Sequence, residues 1–94
     1  MRNIDYIQLN RSFENRGYKL TPKRRLVFDY LVQHGRIQDT ETVWLTLREQ
    51  KRISWATVYT TIKLLRTIGW IEPCHDPGKT NKEYRLVIRT FVEE

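Results

Sequence analysis

Cys74, His75 and Asp76 stand side by side, and with His34 they are the residues of this chain whose types invite metal or nucleophilic chemistry. A stable metal site needs three or four donors converging on one point. Three consecutive residues at a strand end point to alternating sides, and His34 lies far off in sequence, so the run makes a poor chelate. A thiol nucleophile needs a base and an orienting group in one pocket. A chain of 94 residues buries too small a core to wall a large catalytic cleft. No catalytic residue, metal ligand or cofactor is therefore expected.

Recognition chemistry fits better, and it is concentrated in "SWATVYTTIKLLRTI", residues 54–68. Read at helical spacing, Val58, Ile62, Leu65 and Ile68 form a buried stripe, and Ala56, Tyr59, Thr60, Lys63 and Thr67 face the other way. A solvated helix face ordinarily mixes carboxylates with ammonium groups. This one has no acid. A small residue, hydroxyls and one lysine suit a surface that approaches phosphates closely and meets base edges in a DNA groove. Trp55, in the first turn, can pack at the helix edge or meet sugar and thymine methyl groups.

The elements that must position this face follow from local signals. Residues 3 to 15 place Tyr6, Leu9 and Phe13 on one helical stripe, with Gly17 as the stop. Thr21 followed by Pro22 marks a helix start. That helix, residues 23–34, is expected to turn Leu26, Val27, Tyr30 and Leu31 inward and to end at Gly35. A short extended piece at 36–38 leads to Asp39, the cap of a third helix over 40–50 that buries Val43, Trp44 and Leu47. Ser54 caps the fourth and Gly69 ends it. The period then changes to alternation. Residues 70–74 read as a strand, "HDPGKTNK" as a loop, and 83–91 as a return strand, with Trp44 and Trp70 as packing residues. Two helices joined by a tight turn and followed by a β-hairpin describe a winged helix-turn-helix, an α+β fold, mainly helical, whose second helix of the pair enters the major groove.

Charge agrees. Lys and Arg outnumber Asp and Glu by 17 to 11, giving a net +6 and a pI near 9.8, a balance that favours a polyanionic partner. Arg16, Lys19, Lys23, Arg24 and Arg25 form an acid-free cluster at a helix start, where cations oppose the macrodipole, so the fold alone does not explain them. Lys19, Lys23 and Arg24 are expected to hold phosphates, with Arg24 alternatively bonding a nearby carbonyl or carboxylate. Lys79 and Lys82 are the matching wing lysines. A single cysteine excludes an internal disulfide framework, and no apolar run reaches the ~18 residues of a membrane span. A cytoplasmic location is expected, with no membrane contact.

"GYKLTPKRRLVFDYL" and "ISWATVYTTIKLLRTIGWIEP" together resemble the amino-terminal DNA-binding domain of the ferric uptake regulator (Fur) family of bacterial metal- and peroxide-responsive repressors. The likeness runs from Gly17 to about Leu86. Ser54, Ala56, Thr57, Val58 and Tyr59, then Leu65, Gly69 and Ile71, match S-x-A-T-V-Y and L-x-x-x-G-x-I, while Thr21, Pro22 and Arg24 match T-P-x-R. The resemblance implies that Tyr59 contacts DNA and that Lys19 reaches the backbone. It also marks departures. Thr60 stands where members usually carry arginine, and Arg36 and Ile37 stand where regulators of this family place a metal-binding histidine. Full-length members continue into a dimerisation and metal-sensing domain, so metal sensing is not carried over.

The expected organisation is a single winged-helix domain over 1–94, with an N-terminal helix at 1–16, the Fur-like core at 17–88 and a tail at 89–94. Its expected role is a non-enzymatic transcription regulator bound to double-stranded DNA through Lys19, Lys23, Arg24, Ser54, Trp55, Ala56, Thr57, Tyr59, Thr60, Lys63, Lys79 and Lys82. The alternative is a winged-helix protein-interaction module that assembles with another regulator through the Tyr6, Leu9, Phe13 stripe or the last strand. A homodimer, where one forms, is expected to use the N-terminal helix or the C-terminal strand.

Overall fold

The chain caps its helices where its sequence marks them. In a computed structural model that describes residues 6–74 and 83–87, four helices and three strands follow in the order α1 (Tyr6–Asn15), α2 (Pro22–His34), β1 (Arg36–Ile37), α3 (Thr40–Arg48), α4 (Trp55–Ile68), β2 (Ile71–Cys74) and β3 (Glu83–Leu86). Thr21, Asp39 and Ser54 each adopt extended backbone and accept the amide three residues on, as N-caps do. Gly35 and Gly69 end α2 and α4 with φ of 77° and 97°, a left-handed conformation that a side chain would strain. Gly69 and Trp70 both return amides to the Leu65 carbonyl, so α4 turns sharply into β2.

α2, α3 and α4 enclose the core. Val27, Phe28, Leu31, Val43, Val58 and Leu65 are wholly buried, joined by Leu9 and Phe13 from α1. Trp70 lies edge-on to Phe28, ring centroids 5.5 Å apart, and locks the start of the hairpin against α2. Such perpendicular pairs add to the area term, since the positive edge of one ring meets the negative face of the other. α2 departs from its expected face: Phe28 is buried and Leu26 only half-buried. The reason is its composition. Leu26, Val27, Phe28, Tyr30, Leu31 and Val32 surround the helix on more than one stripe, so period alone does not select the inner one.

The sheet is antiparallel with strand order β1, β3, β2. β3 is central: Arg85 lies opposite Arg36 on one side and Glu72 on the other. The extended piece after α2 is thus the third strand of the wing sheet. Two ends differ from expectation. α3 stops at Arg48 rather than Gln50, because the amides of Gln50 and Lys51 both turn back to the Leu47 carbonyl. The expected return strand over 83–91 is seen as β3 to Leu86, and residues 88–91 lie outside those described.

α1 is fastened by three groups. The Tyr6 hydroxyl donates to the Asp29 carboxylate, its ring meets Phe28 edge-on, and the Arg25 guanidinium covers its other side 4.0 Å from the centroid. The Tyr6, Leu9, Phe13 stripe is therefore spent inside the chain's own core, and it is not an open face for another protein. Ile7, 72% exposed, lies on the outer side of the same helix.

Candidate nucleic-acid interface

α4 presents its acid-free side outward. Ala56, Tyr59, Thr60, Lys63 and Thr67 are exposed, while Val58, Ile62 and Leu65 are buried. Thr61 and Leu64, which the stripe did not include, are buried too. Most hydroxyls on this helix are committed to it. Ser54 Oγ caps Thr57 at 3.1 Å and meets Thr57 Oγ1 at 2.9 Å, and Thr61 and Thr67 donate to the carbonyls of Thr57 and Lys63. Those of Tyr59 and Thr60 take no partner among the described residues. They are the hydroxyls left for an outside ligand.

Trp55 and Tyr59, one turn apart, stack with ring centroids 5.0 Å apart and planes 11° from parallel. Each remains about two-fifths exposed, at 42% and 41%. Lys63, a further turn on, holds its ammonium 5.5 Å from the Tyr59 ring. The three form a ladder along the helix, and each step restricts the next. A ring stacked on its neighbour has little rotamer freedom to lose on meeting a ligand.

Beside that ladder the fold brings in α2. Thr21, Lys23 and Arg24 line one groove together with Ala56, Thr57 and Thr60, residues more than thirty positions away in the chain. Neither helix carries an acid in its first turn. Arg24 spans the α2 start: its amide goes to Thr21 Oγ1 at 3.2 Å, and its Nη1 donates to the Lys19 carbonyl at 2.8 Å. The guanidinium thus fixes the backbone that carries exposed Lys19. The structure brings Lys23, Arg24, Ala56, Thr57 and Thr60 to one groove, with Trp55, Tyr59 and Lys63 on the same helix. Lys79 and Lys82 lie outside the described residues.

The turn leading into α4 is held by a residue expected only to pack. Trp44 Nε1 donates to the carbonyl of Ile53 at 3.1 Å, immediately ahead of the Ser54 cap. Arg48 lies over the same indole, 4.7 Å from a ring centroid. Of the residues that invite metal or nucleophilic chemistry, only Cys74 and His34 are described, and they have different neighbours. Cys74 lies 4.0 Å from an Arg36 nitrogen, His34 stacks on Tyr30 with its Nδ1 2.9 Å from the Tyr30 carbonyl, and His75 and Asp76 are outside the described residues. Among the described residues no three His, Cys, Asp or Glu side chains are grouped to hold a metal ion, and no helix is long and apolar enough to cross a membrane.

This chain matches the model of the Ferric uptake regulator family over residues 15–92. Among solved structures it is similar to the ferric uptake regulator Fur of Helicobacter pylori, with a TM-score of 0.73 and 21% identity over 92% of this chain and 61% of that one. It is similar also to the peroxide-sensing regulator PerR of Streptococcus pyogenes, with a TM-score of 0.72 and 18% identity over 90% and 59%. A zinc-bound manganese uptake regulator matches with a TM-score of 0.68 and 28% identity over 85% and 61%. The chain spans less than two-thirds of each. No curated protein sequence matches it. The shared architecture is the winged helix-turn-helix.

Proposed function

Because the chain belongs to the ferric uptake regulator family, we propose that it is a DNA-binding transcription regulator whose α4 lies in the major groove. One observation carries the reading: the uncommitted, acid-free side of α4 is continuous with the basic start of α2. Tyr59, Trp55 and Thr60 meet base edges, with Ala56 and Thr57 allowing the backbone close. Lys19 and Lys23 hold phosphates on the α2 side, and Arg24 sets the height of Lys19 through its carbonyl. Lys79 and Lys82 remain candidates for the wing. Catalysis and a resident metal play no part, and the work is done in the cytoplasm.

A protein-interaction module is the competing reading, and exposed Ile7 on α1 is what favours it. The two differ in a measurable way. Selection of bound sequences from random duplexes, followed by titration at several salt concentrations, should yield an enriched site and a log affinity that falls linearly with log salt. Two enriched half-sites about one turn, roughly 34 Å, apart would indicate a dimer. No enrichment and no salt-dependent affinity for any duplex would reject the DNA reading in favour of a protein partner.

A further inference from the structure

On the side of α4 away from α2, a second concavity of about 570 Å³ opens between the helix and the wing strand, lined by Asp39, Thr40, Tyr59, Lys63, Arg66 and Tyr84 among others. Lys63 and Arg66 lie three positions apart, so they share this face of the helix. Both are exposed. Each is placed by an aromatic ring. Lys63 stands over Tyr59, and Arg66 lies 5.7 Å from the Tyr84 centroid with its Nη1 3.5 Å from the Tyr84 hydroxyl.

What separates these two cations from Arg36 and Arg85 of the wing sheet is the absence, among the described residues, of a neutralising partner. Arg85 Nε and Nη2 both reach Glu72 Oε2 at 2.5 Å, and Arg36 lies 3.8 Å from Glu83 Oε1. Among the described residues neither Lys63 nor Arg66 enters an ion pair. The carboxylate that shares their cleft, Asp39, is engaged elsewhere: its two oxygens take the Thr42 amide at 2.6 Å and the Thr42 hydroxyl at 3.1 Å. Ring contact orients a cation without cancelling its charge. A bonded guanidinium fork beside a tyrosine hydroxyl offers several parallel donors to one anionic group.

We infer that this cleft seats a phosphodiester of the DNA strand on the wing side of α4, with Arg66 as its principal donor, Lys63 beside it and Tyr84 as the residue that positions Arg66. The inference rests on the DNA-binding reading above. A helix in the major groove runs between two phosphate backbones, and the Lys19 to Arg24 segment serves only one of them. The cleft supplies the other. Asp39 becomes the unfavourable neighbour of that phosphate, kept because it caps α3.

The test uses the full chain on its selected duplex, with a neutral methylphosphonate walked along both strands. The unsubstituted chain should lose affinity at one or two positions on the wing-side strand. Arg66→Ala should weaken binding about tenfold, make the log-log salt slope shallower by about one, and abolish the penalty at those positions only. Tyr84→Phe should show a smaller loss at the same positions. Asp39→Asn, which keeps a capping side chain, should bind more tightly. Melting of each variant is measured alongside, and because Arg66 is exposed its variant should fold as the parent does. Arg66→Ala with unchanged affinity, slope and phosphate footprint, on a duplex where Lys19→Ala and Tyr59→Ala do weaken binding, overturns the cleft assignment alone. A chain that binds no duplex removes the reading and the inference together.

Discussion

The indole of Trp44 and the carbonyl of Ile53 are 3.1 Å apart, and this one bond joins α3 to the last residue before the α4 cap. Ile53 is itself buried, so its side chain anchors the turn from below while its carbonyl is held from the side. The entry angle of α4 is therefore set by a residue of the preceding helix.

Trp44→Phe keeps much of the apolar contact and removes the donor. Loss of a part-buried hydrogen bond should cost about 1 to 2 kcal/mol, which for a chain of this size lowers the melting temperature by about 4 to 8 °C per kcal/mol. Calorimetry reads it directly. Affinity for the selected duplex should also fall well below the melting range, because Ser54 and Trp55 follow the freed carbonyl. Unaltered melting would show that the bond holds nothing.

Tyr59→Ala and Lys19→Ala should fail differently. Removing a groove contact should cost roughly 1 to 3 kcal/mol on the selected site and less on random DNA. Removing a phosphate contact should weaken all sequences alike and lower the salt slope by about one unit. Arg24→Ala should reproduce part of the Lys19 loss without changing sequence preference, because its fork ends on the Lys19 carbonyl. Parent-like binding by folded variants of both Tyr59 and Lys19 would disqualify α4 as the reading head.

Tyr6 gives a pH-dependent prediction. Burial, and after it the bond to Asp29, raise its phenol above the ordinary value of 10.0, against a smaller opposing effect of Arg25. The folded chain therefore holds this proton more tightly than the unfolded one. Its contribution to stability is intact below about pH 10 and fades as pH rises through the folded value. Denaturation of the parent and of Tyr6→Phe, compared from about pH 9 to pH 11, should show a steeper decline in the parent. Equal slopes would mean that burial and the Asp29 bond together do not hold this proton in solution.

Chelation should change nothing. The chain has two histidines and one cysteine, His34 is stacked on Tyr30, and a stable site needs three or four convergent donors. Melting and duplex binding in EDTA should equal those without it. Loss of binding restored by one equivalent of zinc would contradict this.

What could be read in advance was whatever a few consecutive residues decide. Thr21 with Pro22, Asp39, Ser54, Gly35 and Gly69 mark helix ends because a side-chain oxygen or a missing Cβ acts on backbone within four positions. The exposed face of α4 was legible for a related reason, since Val58, Ile62 and Leu65 fall on one stripe opposite it, although Thr61 and Leu64 are buried outside that stripe. α2 was not, since it is apolar on several sides and only its neighbours choose Phe28 over Leu26. Pairing of β1 with β3 and the meeting of Thr21 to Arg24 with Ala56 to Thr60 join distant segments, and no local pattern encodes them. Arg66 carries no such local signal, since an arginine in the last turn of a helix also suits the dipole. Its unneutralised charge is visible only once Tyr84 arrives from the wing.

With β3 in the middle of the wing sheet, Tyr84 and Arg85 have strand neighbours on both sides. The strands that remain at the margins are β1, two residues long, and β2, four residues long with exposed Pro73 as its third. A proline on a margin lacks the N–H that an incoming strand would need, and so short a margin offers almost no ladder to extend. A basic chain stored at the high concentrations that recombinant work requires is thus poorly suited to seed fibrils through this sheet. The same arrangement that places Tyr84 against Arg66 leaves the described strands little edge on which a cross-β assembly could grow.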